Sequence, residues 1–210
     1  MIILGLTGSI GMGKSTASNM LSRLGVPVCD ADALTHQFMA PNGAATGQIK
    51  KIFPDTIKCG KIDRQILGKL VLKDTHLLRK LEEIIHPMVW EAQEKFLRDC
   101  SRNRYSIAAL DIPLLFENGA DKRCDVIAVV TAPEFLQKQR VMTRSGMTEE
   151  RYDNIRSNQM SDDLKRKKAD FIINTGIGRR HTFNALSTIV FFLNQSKPKI
   201  WRPGWLGLRG

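Results

Sequence analysis

Three glycines, a lysine and two hydroxyl residues near the N-terminus have the spacing of a phosphate-binding loop. Gly8 to Thr16 has the sequence GSIGMGKST, follows an apolar run from Met1 to Leu6, and precedes an amphipathic helical pattern. In the pattern GxxxxGK[ST], backbone N–H groups point inward and the following helix N-terminus adds partial positive charge. The spacing therefore predicts a site for the polyphosphate of ATP or GTP, in preference to a glycine-rich turn with an incidental lysine.

The residues of this loop suit different parts of a nucleoside triphosphate. Glycine permits backbone angles and a close approach that a Cβ forbids. Lys14 would reach the β- and γ-phosphates, Ser15 would hold Mg²⁺, and Thr16 lies on the α-phosphate side. The nucleotide-binding residues predicted in this loop are Gly8, Gly11, Met12, Gly13, Lys14, Ser15 and Thr16.

Two carboxylates, Asp30 and Asp32, follow the short apolar stretch Val26 to Cys29, which predicts a strand. Open α/β sheets bind their ligands beyond the carboxyl ends of the strands. We interpret Asp32 as a general base that accepts a proton from a substrate hydroxyl, and Asp30 as structural or close to the metal. The alternative is that either carboxylate only caps the next helix, predicted over residues 33–39, because Asp is a favoured N-cap.

A third carboxylate, Asp111, follows the apolar run Tyr105 to Leu110, which predicts a buried strand. P-loop enzymes often place at this point the aspartate that orders Mg²⁺, so Ser15 and Asp111 are the predicted metal ligands. Pro113 prevents the strand from continuing in a ladder. A solvated aspartate at a strand end is an equally good interpretation of the sequence.

Basic residues concentrate in the second half of the chain. Residues 138–180 hold eleven Lys or Arg against six Asp or Glu, and residues 195–210 hold four against none. In a nucleotide kinase, a helical arm closes over ATP and brings arginines to the transferring phosphoryl group. We predict this role for Arg140 and Arg144, on the helix that follows Pro133, although a basic run such as 165–168 is also typical of a solvated helix face.

The middle of the chain predicts helices and few strands. Residues 40–63 mix turn signals with one short helical stretch and show no strand periodicity, and the pattern becomes strongly helical from Asp63. Pro87 predicts that one helix ends near His86, because proline costs ~3 kcal/mol in a helix interior, and that a new helix runs to about Cys100. By residue type alone, His86 is a simple helix-end histidine.

The C-terminal part predicts further strands over residues 126–131 and 171–173, and a closing helix that contains Leu186 and Leu193. After the last strand, Asn174 to Gly176 could hold an adenine through backbone and amide groups. Residues 195–210 have no helical or strand period and predict a mobile tail to which we assign no function.

The composition is that of an ordinary globular protein, with 42% hydrophobic and 25% charged residues. No apolar run approaches the ~18 residues of a membrane span, so the prediction is a cytoplasmic protein without membrane contact. The four cysteines lie too far apart for a zinc or redox motif and are interpreted as free thiols. The net charge of +11 suits nucleic acid, an acidic membrane surface or a polyanionic small substrate.

Taken in order, these motifs resemble the dephospho-CoA kinase family from Gly5 through Gly176. The motifs are LTGSIGMGKST, CDAD with His36 four residues after Asp32, GKIDR, IIHP, DIPLLFENG, QKQRVMTR, RSNQ and ADFIINTG. The phosphate-binding loop by itself indicates only a nucleotide, whereas DAD, IHP and PLLFE at these separations are typical of this kinase. The resemblance therefore favours a substrate contact for His86.

The resemblance implies an α/β fold: a P-loop NTPase-type parallel sheet flanked by helices, with an inserted helical substrate lobe and a helical lid. The implied kinase domain covers residues 1–194, followed by a basic tail over 195–210. Its nucleotide-binding core is about 1–29, 104–133 and 169–194, its acceptor lobe about 30–103 and its lid about 134–168.

The implied reaction is ATP-dependent phosphorylation of the ribose 3′-hydroxyl of dephospho-CoA, with ATP and Mg²⁺ and without nucleic acid or a membrane as partner. The implied catalytic residues are Lys14, Asp32 and Arg140. Outside the loop, the nucleotide would be bound by Arg144, Asn174 and Gly176. The acceptor would be bound by Asp32, His36, His86, Pro113, Leu114 and Glu117.

Two alternatives stay open at the level of sequence. The first is another P-loop small-molecule kinase, such as a nucleoside or nucleoside monophosphate kinase, with the same core and a different acceptor lobe. The second is a GTP-binding switch or a nucleic-acid-binding protein, although the sequence has no NKxD-like guanine motif.

Overall fold

The computed structural model describes residues 1–58, 61–71 and 74–200. The strands are β1 (Ile2–Thr7), β2 (Val28–Asp30), β3 (Ile57–Lys58), β4 (Lys61–Ile62), β5 (Ile107–Asp111), β6 (Val126–Thr131) and β7 (Phe171–Asn174). The helices are α1 (Lys14–Arg23), α2 (Ala31–Phe38), α3 (Thr46–Ile52), α4 (Arg64–Val71), α5 (Thr75–Arg102), α6 (Glu134–Met142), α7 (Glu149–Ser157), α8 (Asp162–Lys168) and α9 (Arg179–Asn194).

Five strands form one sheet in the order β2-β5-β1-β6-β7. The central strand β1 pairs in parallel with β5 and with β6, and β6 pairs in parallel with β7. All six residues of β1 and all five of β5 are buried, because helices cover a parallel sheet of this kind on both faces. The predicted α/β sheet is therefore confirmed, and it brings the carboxyl ends of β1, β5 and β6 to one edge.

The chain divides into two compact units, residues 1–29 together with 97–210, and residues 30–96. In the first unit, α1 and α9 pack against the sheet, and Leu21, Ile173 and Leu186 are fully buried in one hydrophobic cluster. In the second unit, a separate cluster centres on Ile49, Phe53 and Leu67. The residue limits proposed above for core, lobe and lid stay predictions.

Helix α5 corrects the predicted helix break at His86, because it continues without interruption over 28 residues with Pro87 inside it. A proline there loses one backbone hydrogen bond and clashes with the preceding turn, at ~3 kcal/mol. Ile84, Ile85 and Val89 on either side of it are buried in the cluster of the second unit. Packing of this face outweighs the local cost, so the helix does not end.

Other boundaries also differ from the sequence-based expectations. Strands β3 and β4 form an antiparallel pair within the stretch where no strand periodicity was evident, because two-residue strands are too short to establish a period. Helix α2 begins at Ala31, and α6 ends at Met142, so Arg144 lies beyond the helix on which it was predicted.

The described cysteines Cys29, Cys100 and Cys124 are buried free thiols, as predicted, whereas Cys59 lies outside the described residues. Burial raises the pKa of the Cys124 thiol to about 12, which makes it unreactive at neutral pH. Among the described residues, no helix is both long and apolar enough to cross a membrane.

The described part of the C-terminal tail is bound to the sheet. The backbone N–H groups of Lys199 and Ile200 donate to Asp125 Oδ1, while Oδ2 of the same carboxylate accepts from Ile3 N–H at 2.8 Å. Asp125 thus joins the tail to the start of the central strand. The tryptophans of the tail, Trp201 and Trp205, lie outside the described residues.

Candidate active site

The glycines of the loop between β1 and α1 are required by packing as well as by backbone angle. Gly11 and Gly13 have φ values of +76° and +90°, which L side chains rarely adopt. A Cβ on Gly8 would lie 2.3 Å from Val130 Cγ2, and one on Gly11 would lie 2.6 Å from Val141 Cγ2. The loop therefore lies tightly against the end of β6 and against α6, with Gly13 at the N-cap of α1.

Lys14 and Asp111 form an ion pair between the loop and the end of β5. The Lys14 Nζ contacts Asp111 Oδ1, with the side chains 14% and 1% exposed. The pairing of Leu6 with Asp111 in the sheet brings this carboxylate beside the strand that leads into the loop. The predicted metal ligand is thus the partner of the lysine predicted to bind phosphate.

The donor set offered for Mg²⁺ consists of the Ser15 hydroxyl and the Asp111 carboxylate. Mg²⁺ takes oxygen ligands and is usually held by one or two carboxylates together with substrate phosphates and water, so these residues fit it chemically. Within residues 1–58, 61–71 and 74–200, no three His, Cys, Asp or Glu side chains form a metal-binding group. Phosphate oxygens and water would complete the coordination.

Arg140 binds the loop after β7 as well as the phosphate-binding loop. Its guanidinium donates to Thr175 Oγ1 at 3.0 Å, to Thr175 O at 2.9 Å and to Gly11 O at 3.4 Å. The Thr175 hydroxyl in turn donates to Met12 O at 2.6 Å. From the sequence, Thr175 was predicted only as part of the segment 174–176 that could hold an adenine, and the structure makes it the link between the two loops.

The other nucleotide contacts predicted outside the loop are Asn174 and Gly176, in the turn after β7, and Arg144, in the turn after α6. Asn174 Oδ1 accepts from Gly176 N–H at 2.8 Å, and a Cβ on Gly176 would lie 2.5 Å from Pro133 Cδ, so this turn packs closely on the start of α6. The Arg144 side chain is exposed in the turn that follows α6. Its predicted contact with the nucleotide stays a prediction.

A cavity of about 480 Å³ opens beside the phosphate-binding loop. Its lining includes Ser9 and Met12 from the loop, Thr131 and Asn174 from the ends of β6 and β7, and Gln137 from α6. Small-molecule sites are clefts of about 300–1,000 Å³, so this one has the volume for a nucleoside or a similar group. It lies at the carboxyl edge of the sheet, where the sequence predicted nucleotide binding.

The turn after β5 carries the predicted acceptor contacts Pro113, Leu114 and Glu117. Glu117 Oε1 lies 3.0 Å from the Nζ of Lys165, which is 0% exposed, and accepts from Met160 N–H at 2.8 Å. Burial by itself raises the pKa of the Glu117 carboxyl, but the bonds from Lys165 and Met160 outweigh it and lower the pKa overall. The carboxylate therefore connects this turn to α8. The sequence did not predict this role, because a basic run such as 165–168 is typical of a solvated helix face or of a helical arm that closes over ATP.

In the second unit, Asp30 and Asp32 take different positions. Asp30 is the N-cap of α2, and its Oδ1 accepts from Asp32 N–H at 2.9 Å and Ala33 N–H at 3.1 Å. Asp32 lies in the first turn of α2 and His36 in its last turn, both exposed and four residues apart on one helix face. The capping function thus belongs to Asp30, and the base role of Asp32 stays a prediction.

His86 lies on α5 and is half-buried. Its ring is nearly parallel to that of Trp90, with an interplanar angle of 14° and centroids 6.5 Å apart. The structure therefore groups Lys14, Asp111 and Arg140 around the loop of the first unit, and places Asp32, His36 and His86 on two helices of the second. The roles of all these residues stay predictions.

Comparison with known proteins gives one family across most of the chain. Residues 2–178 match the family model for dephospho-CoA kinase. The dephospho-CoA kinase of Paramagnetospirillum magneticum is 48% identical over 198 residues, which cover 94% of this chain and 93% of that protein.

Solved structures agree with this match. The crystal structure of TT1252 from Thermus thermophilus has a TM-score of 0.80 and 34% identity, covering 91% of this chain and 96% of that one. The dephospho-CoA kinase from Campylobacter jejuni has a TM-score of 0.62 at 23% identity, covering 92% and 98%, and supports the fold alone. Because the family model spans the phosphate-binding loop, the sheet and helices α1 to α8, and the relative covers 94% of the chain, this chain belongs to the dephospho-CoA kinase family.

Proposed function

We propose that this protein transfers the γ-phosphoryl group of ATP to the ribose 3′-hydroxyl of dephospho-CoA, which gives coenzyme A and ADP. The family match across residues 2–178 carries this proposal, because the phosphate-binding loop by itself would suit many nucleotide-binding proteins. The match also favours this reaction over a nucleoside kinase or a GTP-binding switch. The proposed setting is the cytoplasm, with small molecules rather than nucleic acid or membrane as partners.

In the proposed reaction, the 3′-oxygen of the acceptor attacks the γ-phosphorus and the bond from that phosphorus to the β,γ-bridging oxygen breaks. The electron pair of that bond leaves with ADP, and the hydroxyl proton passes to Asp32. This assignment rests on an exposed carboxylate in the first turn of α2 whose neighbour Asp30 already serves as the cap. His36 and His86 are proposed to position the acceptor.

Positive charge on the donor side is proposed to come from Lys14 and Arg140. Lys14 would exchange its contact with Asp111 for the β- and γ-phosphates, and Asp111 and Ser15 would hold Mg²⁺. Mg²⁺, when bound, neutralises charge on the phosphate oxygens. Arg140 is already oriented by Thr175 and Gly11, so little side-chain entropy remains to be lost when ATP enters.

A substrate panel tests the proposal. Purified protein with Mg-ATP is incubated with dephospho-CoA, with nucleosides or with nucleoside monophosphates, and ADP release and acceptor mass are measured. We expect turnover with dephospho-CoA and a mass increase of one phosphoryl group. Phosphorylation of nucleosides or nucleotides without reaction of dephospho-CoA would contradict the proposed acceptor and leave the fold assignment intact.

A further inference from the structure

Both backbone polar groups of Ile10, at the tip of the phosphate-binding loop, are held by glutamine side chains. The Ile10 N–H donates to Gln159 Oε1 at 3.1 Å, and the Ile10 carbonyl accepts from Gln137 Nε2 at 2.8 Å. Gln137 lies on α6, and Gln159 lies two residues beyond the end of α7. A side chain of α6 and one from the turn after α7, both distant from the loop in sequence, thus bind one loop residue.

The orientation of each glutamine amide follows from the polarity of the backbone. A carbonyl only accepts, so Gln137 presents its NH₂ group to Ile10, and an N–H only donates, so Gln159 presents its oxygen. The side-chain oxygen of Gln137, Oε1, accepts from the Tyr152 hydroxyl at 3.2 Å. Gln137 is 3% and Tyr152 2% exposed, so this arrangement is shielded from competing water.

Helix α6 also contacts the next residue of the loop. A Cβ on Gly11 would lie 2.6 Å from Val141 Cγ2 and 2.9 Å from Gln137 O, so no space separates the helix from the loop. Arg140 adds a bond to the Gly11 carbonyl from the following turn of α6. The position of α6 and the shape of the loop therefore depend on each other.

We propose that Gln137 and Gln159 are positioning residues that couple the helical arm over residues 134–168 to the phosphate-binding loop. While the two side chains hold Ile10, the loop keeps the shape that binds the triphosphate, and movement of the arm changes the affinity of the loop for ATP. This inference rests on the proposed function only in taking the loop as an ATP site. Gln159 does not line the cavity beside the loop, and for Gln137, which does line it, the inference concerns the hydrogen bond to Ile10.

Because Gln137 donates to Ile10 and Gln159 accepts from it, the same substitution by glutamate should have different effects at the two positions. Gln159→Glu keeps an oxygen that accepts from Ile10 N–H, whereas Gln137→Glu places a carboxylate oxygen against the Ile10 carbonyl. Each variant adds one negative charge beside the same loop residue, and the neutral variants described next separate that charge from the hydrogen bonds. We expect Gln137→Glu to raise the KM and Kd for ATP about tenfold, and Gln159→Glu to change them less than about threefold.

Neutral variants separate the hydrogen bonds from the charge. Methionine has a shape close to that of glutamine, cannot donate and accepts only weakly. Gln137→Met, which removes the donor to Ile10 O, and Gln159→Met, which removes the acceptor for Ile10 N–H, are each expected to raise the Kd for ATP about fivefold, with kcat at saturating ATP within about threefold of the wild type. Amide hydrogen exchange in the loop should accelerate in both. Gln139 is exposed on the same helix, so Gln139→Glu and Gln139→Met are the controls and should bind ATP normally.

Thermal unfolding of each variant verifies that it is folded, and if Gln137→Glu does not fold, the two methionine variants decide the question. Equal shifts in the two glutamate variants, or ATP affinities within twofold of the wild type in both methionine variants, would overturn the coupling. Kd is measured with ATP alone. Wild-type protein that binds ATP without phosphorylating dephospho-CoA would therefore contradict the proposed acceptor and not this inference.

Discussion

At the scale of single residues, the ion pair of Lys14 with Asp111 sets the direction of the lysine side chain. Lys14 lies in the first turn of α1, where its ammonium contacts a carboxylate that is 1% exposed at the end of β5. A lysine held by such a partner is already directed to the carboxyl edge of the sheet, so less side-chain entropy is lost on phosphate binding. The same contact keeps the Asp111 charge compensated while no cation is present.

Substitution of Lys14 by Ala should reduce both ATP binding and turnover, because positive charge on the β- and γ-phosphates is lost. We expect kcat/KM for ATP to fall by about 10² to 10³, the usual cost of one donor to a developing charge. Steady-state kinetics measure this, and thermal unfolding separates it from the loss of the contact with Asp111. An unchanged kcat/KM would count against the assignment of the loop as a phosphate site.

Substitution of Asp32 by Asn should lower kcat by about 10² to 10⁴ while ATP affinity stays near normal, since a general base is removed and the phosphate site is left intact. Asp30→Asn is the matched comparison, because Asn also caps helices well and the start of α2 is preserved. Single-turnover kinetics with ATP binding measured in parallel report both quantities. If Asp32→Asn loses no more activity than Asp30→Asn, Asp32 is not the base.

At the scale of secondary-structure elements, α5 illustrates how packing overrides a local signal. A helix of 28 residues carries a proline at Pro87, and the flanking Ile84, Ile85 and Val89 bury one face in the core of the second unit. Ending the helix at His86 would turn part of this face away from the core. Burial of an Ile or Val side chain contributes about 1.5–3 kcal/mol, so several such residues exceed the cost of one proline.

Replacement of Pro87 by Ala should therefore stabilise the protein, because a backbone hydrogen bond becomes possible and the clash of the ring is removed. We expect a gain on the order of 1–3 kcal/mol in the free energy of unfolding, measured by urea denaturation. The exposed Glu91 on the same helix is a suitable control, and Glu91→Ala should change stability by less than about 0.5 kcal/mol. A clear loss of stability in Pro87→Ala would indicate that the proline is required for the shape of α5.

At the scale of the whole molecule, contacts between residues distant in sequence hold the first unit together. Glu117 and Lys165 connect the turn after β5 to α8, and Asp125 connects β1 to the C-terminal segment. The Lys165 side chain is 0% exposed, so its charge depends on Glu117 for compensation. Loss of such a partner affects the folding of the entire unit.

Acid should lower the free energy of unfolding, in part by protonating Glu117. Because the folded-state pKa of this carboxyl lies below the ordinary value of 4.5, its contribution to stability is complete above that pH and is lost as the pH falls through the folded-state pKa. Glu117→Gln should cost about 3–5 kcal/mol at pH 7, since Lys165 is left buried without its counter-charge, and less at pH 3. Urea denaturation at the two pH values measures the difference.

The exposed pair of Lys138 and Glu149, 2.7 Å apart, is the control for this measurement. Surface ion pairs contribute about 0–1 kcal/mol, so Glu149→Gln should change stability little at pH 7. An equal cost of Glu117→Gln at pH 7 and pH 3 would contradict the role of its charge.

The sequence by itself determined the features that depend only on residues close to one another along the chain. The phosphate-binding loop, the helix that begins after Asp63 and strand β6 were all predicted, because backbone angles and hydrophobic period are local properties. The carboxyl edge where the loop lies and the family also follow from these motifs taken in order, whereas the strand order β2-β5-β1-β6-β7 comes from the structure.

Only the tertiary structure decided which distant groups meet. Lys14 and Asp111 are 97 residues apart in sequence, and Ile10 and Gln159 are 149 apart, so no local pattern joins them. Burial of Lys165 within a basic run, and continuation of α5 through Pro87, contradict what the local sequence indicates. In each case the free energy comes from packing and ion pairing between elements, which exceeds the local preference of the chain.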